Sequence, residues 1–203
     1  MTSILPAAPN FGAPIPRMPS PAVLDFLATR RSTSAIALAE PGPSPDQVAD
    51  LLRLACRVPD HGKLAPWRFI ILETQAKAMF ARRLESLAGS REDKSAIAKL
   101  AKLKAPPLAI AVISSPMVGD IRQWEQQLSA GAVCTTLLYA AQALGYGANW
   151  ITDWYAYDTE AKTILGLNPD EMVAGFILMG TSAEPPQERV RPKLDALVSR
   201  WEA

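Results

Sequence analysis

The sequence predicts one domain that mixes helices and strands in an order unlike a doubly wound α/β fold. Three observations lead there. Apolar runs at Trp67 to Glu73, Leu108 to Ser115 and Met172 to Met179 read as strands. Between them lie stretches with apolar residues at helical spacing. The resulting order is αα–β–αα–β–α–loop–α–β–tail, not a strict βαβ alternation. No GxxxxGKS/T sequence is present, and Gly145-Tyr146-Gly147 lacks a third glycine and follows a helix. Neither the phosphate-loop nor the dinucleotide fingerprint is therefore available.

Composition bounds the function. With 203 residues, 49% hydrophobic and 20% charged, the chain can bury a full core and is too apolar to stay disordered. Its net charge of +1, from 21 Lys+Arg against 20 Asp+Glu, lacks the basic excess of a dedicated nucleic-acid binder. No apolar run reaches membrane-spanning length without a charge or glycine breaking it, so no membrane partner is expected. The first residues lack the basic start and apolar stretch of a signal peptide, and the expected location is cytoplasmic. Cys56 and Cys134 lie in helix-like stretches and form no CxxC pair, so they are expected as reduced, buried thiols. His61 is the only histidine and has no second His or Cys near it, which argues against zinc.

Residues 1–19 carry Pro6, Pro9, Pro14, Pro16 and Pro19, which exclude helix and central strand and predict an extended arm. A single domain over 20–203 follows it. Ser20-Pro21 reads as a helix start, and Val23, Leu24, Phe26 and Leu27 give that helix an apolar face ending at Arg30-Arg31. Residues 35–43 read as loop. Ser44 with Gln47 matches a capping box for a helix whose core face is Val48, Leu51, Leu52 and Ala55. That helix stops before Pro59. Pro59 to Pro66 is a loop, Thr74 is expected to cap a helix to about Leu87, and 89–105 is a charged helical stretch. Leu108 to Ser115 is almost continuously apolar, as a strand buried on both faces would be. Gln123 to Leu144 is the longest helix, and from Leu128 it is apolar nearly all round, which demands burial on every side. Trp150 to Tyr157 reads as aromatic and irregular, and Thr159 to Leu167 as a short helix. From Ser182 onward the chain reads as a tail suited to wrapping a neighbour.

The chemistry concentrates at Arg30-Arg31-Ser32-Thr33-Ser34. Two guanidinium forks, three hydroxyls and free backbone N–H groups at a helix end are the donors a phosphate needs. The same residues also suit a solvated helix C-terminus, because arginine favours the dipole there. Roughly thirty residues later come Pro59-Asp60-His61 and Pro66-Trp67-Arg68-Phe69.

These stretches, in this order, resemble the nitroreductase family of flavin proteins. The resemblance is carried by Arg30-Arg31-Ser32-x-Ser34, by Arg57-Val58-Pro59-Asp60-His61 leading to Pro66-Trp67-Arg68-Phe69, and by Trp124-Glu125-Gln126 with Ser129-Ala130-Gly131. It continues through Gly145-Tyr146-Gly147-x-x-Trp150 and the strand ending in Gly180-Thr181, and covers roughly residues 20–195. It implies an α+β nitroreductase-like fold with a central, mainly antiparallel sheet flanked by helices. It also implies an intertwined homodimer with FMN at the subunit interface and NAD(P)H as electron donor. Arg30, Arg31 and Ser32, with Ser34 in the same motif, would then contact the flavin, mostly at its phosphate and ribityl end. Arg191, with Arg189 nearby, would reach the same phosphate. His61 matches a flavin-contacting histidine, and Ala65 stands where the family has a polar contact from the second subunit. Trp150, Ile151 and Thr152 match the loop beside the isoalloxazine ring, with Ile151 where relatives often carry arginine.

By the same resemblance the activity is NAD(P)H-dependent reduction of small-molecule acceptors, nitroaromatic or quinone-like, in ping-pong order. No catalytic side chain and no metal are implied, because the flavin carries the chemistry. The alternative is a protein that holds FMN without turnover, as a reservoir, sensor or carrier. The Ala65 and Ile151 departures keep that alternative open.

Overall fold

The computed structural model describes residues 3–202. Met1 and Thr2 of the predicted arm and Ala203 of the predicted domain lie outside the described residues. The centre is a four-stranded sheet of β1 (Trp67–Leu72), β2 (Leu108–Ser114), β3 (Gly147–Ile151) and β4 (Met172–Gly180). The spatial order is β1-β2-β4-β3 and every neighbouring pair is antiparallel. The fold is thus α+β, as expected.

The sheet separates two cores. On one face Phe80, Leu84, Leu100, Tyr155, Phe176 and Leu178 pack together. On the other lie Leu51, Val112, Val133, Leu137, Ile177 and Met179. From Phe176 to Met179 of β4 successive residues alternate between the two cores, the period-two pattern of a strand covered on both sides, and a register shift between Val173 and Gly175 interrupts it nearer the strand's start. β2 is buried along its whole length, which is why its sequence carries no polar alternation.

The first core is covered by α3 (Thr74–Ser90), α4 (Lys94–Lys99), α5 (Ala101–Lys104), α7 (Trp154–Tyr157) and α8 (Thr159–Leu165). The second is covered by α2 (Pro45–Ala55) and α6 (Gln123–Ala143), which pack against each other. The Ser44–Gln47 capping box forms as read, with the Ser44 side chain accepting from Gln47 N and the Gln47 side chain accepting from Ser44 N. Helix α1 (Pro21–Thr29) buries no residue: Val23, Leu24 and Leu27 are 53%, 66% and 47% exposed. Helix α6 is buried where it crosses the sheet, at Ala130, Val133, Cys134, Leu137 and Ala141, and open at Trp124 and Leu128.

Several sequence expectations are corrected. Trp150 to Tyr157 is not irregular: it completes β3 and forms α7. Cys56 is exposed, while Cys134 is buried with its thiol pushed up to about 12 by desolvation. Cys56 follows Ala55, the last buried position of α2, and one residue is a turn of about 100° around a helix, which rotates it off the core face. Glu73, not Thr74, occupies the N-cap of α3, and its side chain makes no capping bond. The loop over 35–43 contains a short 3-10 turn at Ala35–Ala37, and the tail contains another at Leu194–Ala196. The arm is tied to its own domain: Ser3 Oγ and Ile4 N donate to the buried Asp50 carboxylate of α2 at 2.6 and 3.0 Å.

One glycine is dictated by packing. A Cβ on Gly175 of β4 would fall 1.9 Å from Trp150 Nε1, because the indole lies across that strand and donates to Ala174 O at 3.2 Å. Gly175→Ala is expected to displace the indole and cost about 1–3 kcal/mol, the usual range for overpacking. Denaturant unfolding with tryptophan fluorescence measures both effects, and an unchanged midpoint and emission would contradict this packing.

Candidate functional site

The site candidates fall into three groups. The first is the turn after α1. Arg30 N donates to Phe26 O at 2.8 Å, and the chain then leaves the helix extended. Thr33 N donates to Ala148 O of β3 at 2.9 Å. The Gln142 side-chain amide donates to Arg31 O, and the Asn149 amide to Thr33 O. Helix α6 and strand β3 therefore fix the turn's backbone without using the arginine side chains.

Arg30 lies over the Tyr139 ring, 5.6 Å from its centroid, and donates from Nη2 to Ser32 Oγ at 3.3 Å. Its Nε is buried without a partner, and so is Gln142 Oε1. Arg31 Nε donates to Gln187 O at 2.9 Å, and Arg191 Nη2 reaches Arg30 O at 3.5 Å. The tail thus folds back on its own chain at this turn. Between Arg31 and Arg191 sits the Glu188 carboxylate, at 3.7 and 3.0 Å from their nitrogens. Its pKa is held below the usual carboxylate value by the Arg189 backbone N–H, then by Arg191 and Arg31. Two guanidinium groups thus share one carboxylate at the protein surface.

Arg30, Arg31 and Gln142 line an open cleft of about 370 Å³ together with Ser182–Pro186 of the tail, while Ser32, Glu188 and Arg191 lie outside that lining. Ser34 is exposed and lines an adjoining cleft across the same tail segment. Arg189 contributes its backbone N–H to Glu188, which is its contact at this site.

The second group is the loop after α2. His61 begins a 3-10 turn, His61–Lys63, and its Nδ1 lies 2.7 Å from Glu125 Oε2 in the first turn of α6. Asp60 accepts from Leu64 N at 3.2 Å and from Ala65 N at 2.8 Å. Lys63 and Ala65 both have positive φ, 56° and 46°, in the region L-residues seldom occupy. Ser129 Oγ, one turn beyond Glu125, donates to Pro59 O at 2.6 Å. The loop's unusual backbone is thus held by Asp60 from within and by α6 from outside.

The third group is the end of β3. Trp150 crosses Gly175, and Ile151 packs its side chain into the first core. Thr152 Oγ1 accepts from Tyr157 Oη at 2.7 Å.

One protomer does not bring all of these together. Gln142 and Tyr139 mark the Arg30 end of α6, whereas Glu125 marks the His61 end. The seventeen residues from Glu125 to Gln142 correspond to about 25 Å of helix, and His61 does not line the arginine cleft. Sequence reading missed Gln142, Tyr139 and Glu188. A polar Gln142 within an apolar helix, just ahead of Gly145-Tyr146-Gly147, was the one signal available.

The model of the nitroreductase family matches residues 27–181, more than half of the chain and including the arginine turn, the histidine loop and all four strands. The chain belongs to the nitroreductase family. Its tail, with Arg191, lies beyond the matched residues. This family member is 31% identical over 161 residues to YdjA of Escherichia coli K12, a protein named for a proposed NAD(P)H nitroreductase activity. The match covers 78% of this chain and 87% of YdjA. In structure it resembles a nitroreductase-like family protein from Bacillus cereus with a TM-score of 0.77 at 16% identity, over 93% of this chain and 100% of that one. It also resembles a nitroreductase with bound FMN from Bacteroides fragilis, with a TM-score of 0.69 at 18% identity, over 90% and 100% of the two chains. At these identities the structural likeness shows the shared fold.

Proposed function

We propose that this chain is an FMN-dependent NAD(P)H oxidoreductase that reduces small electron-poor acceptors. The observation that carries the reading is the arginine turn with the tail folded onto it. Arg30 keeps a buried, unpaired N–H, Ser32 offers a hydroxyl, and Arg31 with Arg191 already surrounds a carboxylate. A flavin phosphate needs that same set of donors. The family membership, the relative named for NAD(P)H nitroreductase activity and the FMN-bound structural neighbour support the same reading.

When bound, FMN supplies the redox chemistry, accepting hydride from NAD(P)H and passing reducing equivalents to a nitroaromatic or quinone-like acceptor in ping-pong order. The chain's residues bind and orient. Arg30, Arg31, Ser32 and Arg191 hold the phosphate and ribityl end. Thr152, whose oxygen accepts from Tyr157, keeps its own proton available for the edge of the isoalloxazine ring. Trp150 walls the same region. The working unit is a homodimer, in which His61 and Ala65 of one chain complete the flavin site begun by Arg30 of the other. The separation of the two groups along α6 and the uncovered apolar face of α1 support this arrangement.

A visible absorption spectrum of the purified protein, before and after anaerobic addition of NADPH or NADH, tests the proposal. Flavin bands that bleach are expected. Bands that persist with both donors would leave only a flavin-holding role. A colourless protein that takes up no added FMN would overturn the reading.

A further inference from the structure

The Glu125–His61 pair suggests more than loop anchoring. Glu125 Oε2 lies 2.7 Å from His61 Nδ1, and the ring has no other hydrogen bond among the described residues. A carboxylate can only accept, so Nδ1 must carry the proton of this bond. In the neutral imidazole that leaves Nε2 bare, as an acceptor. The His61 side chain is 65% exposed, so most of the ring is open to a ligand or a second chain.

We propose that Glu125 is a positioning residue that fixes His61 as the Nδ1–H tautomer and so presents Nε2 as an acceptor to a hydrogen-bond donor of bound flavin. This rests on the flavin-binding reading above. The geometry favours it for two reasons. Glu125 lies in the first turn of α6, where the helix dipole favours a carboxylate. The loop already has its own anchors in Asp60 and in the Ser129–Pro59 bond, so a hydrogen bond to His61 is redundant for holding the backbone. What Glu125 adds is the orientation and proton position of the ring.

The chain has one histidine, so its imidazole nitrogens give one readable pair of resonances. Protein labelled with 15N-histidine is examined by NMR at pH 9 as the full chain. The expected result is the Nδ1–H tautomer in the native protein and the Nε2–H tautomer in Glu125→Ala. Ser129→Ala serves as the control: it removes a loop anchor, retains Glu125 and is expected to keep the Nδ1–H tautomer. FMN affinity, followed by quenching of flavin fluorescence, is expected to fall about five- to tenfold in Glu125→Ala, the equivalent of one hydrogen bond.

An Nε2–H tautomer in the native protein overturns the inference and leaves the flavin reading standing. A tautomer that switches equally in Ser129→Ala overturns it too, because loop order and not Glu125 would then set the proton. A switch in Glu125→Ala with unchanged FMN affinity overturns the positioning role. Failure of the native protein to bind FMN overturns both readings at once.

Discussion

Replacing Arg30 by alanine is expected to weaken FMN binding about 10- to 100-fold while the chain stays folded. The range follows from losing one charge-assisted hydrogen bond, worth about 1.5–3 kcal/mol. The fold should tolerate the change because the turn's backbone is held by Gln142, Asn149 and Ala148, none of which depends on the guanidinium. The stacking of Arg30 on Tyr139 costs about 0.5–1 kcal/mol to remove, too little to unfold the domain. Arg30→Lys should fall between, since it keeps the charge but loses the fork that reaches Ser32. Fluorescence titration with FMN, paired with urea unfolding, separates affinity from stability. Unchanged flavin affinity in Arg30→Ala would remove Arg30 from the phosphate site.

The second large effect is structural. Glu171 is 4% exposed and accepts from Arg68 Nε and Nη2 at 2.6 and 2.7 Å, from Ser115 Oγ, and from Asn168 N at 2.8 Å. Arg68 also donates to Gly166 O at 3.1 Å. One carboxylate thus ties the edge strand β1 and the end of β2 to the turn between α8 and β4. Glu171→Ala removes every bond at once and is expected to destabilise the fold by about 3 kcal/mol. That is the lower end for breaking a buried pair, because Arg68 is 39% exposed and water can re-solvate it.

The same group predicts an acid limb. Hydrogen bonds from Arg68, and then from Ser115 and Asn168 N, hold the Glu171 carboxyl at about 2, against a usual 4.5. Its folded pKa is depressed, so its stabilising contribution is complete above about pH 4.5. It is lost progressively as pH falls from there toward 2. Urea midpoints at pH 7, 4 and 3 should fall less steeply in Glu171→Gln than in the native chain. Parallel pH slopes would show that other carboxylates carry the acid limb.

What could be read in advance depended on whether one segment's burial decided its sequence. β2 was legible because helices cover both its faces and its residues are apolar without interruption. α6 was legible by its length and nearly unbroken apolar run, although Leu128, expected to be buried, stays open in this chain, and the capping box placed the start of α2 to the residue. β3 was not: five residues with a glycine, an asparagine and an exposed Trp150 carry little strand pattern, and they are held extended by pairing with β4. The Thr74 cap was misplaced because Glu73 supplies the extended residue before the helix without using its side chain. At the candidate site, Arg30 and Arg31 stood out by charge and Arg191 by the family resemblance, and the three lie near one another. Gln142 did not stand out, because the Arg31 carbonyl it reaches lies 111 residues away in sequence.

The length of α6 between Glu125 and Gln142 also bears on genetics. In the proposed homodimer, two defective chains, one lacking the Arg30 guanidinium and one lacking the His61 imidazole, would each impair both sites of their own dimer. In a mixed pair the two lesions fall into the same site. The other site receives Arg30 from one parent and His61 from the other and is whole. Co-expressed, the two defective chains would complement, with every mixed dimer carrying one native centre and one doubly impaired one.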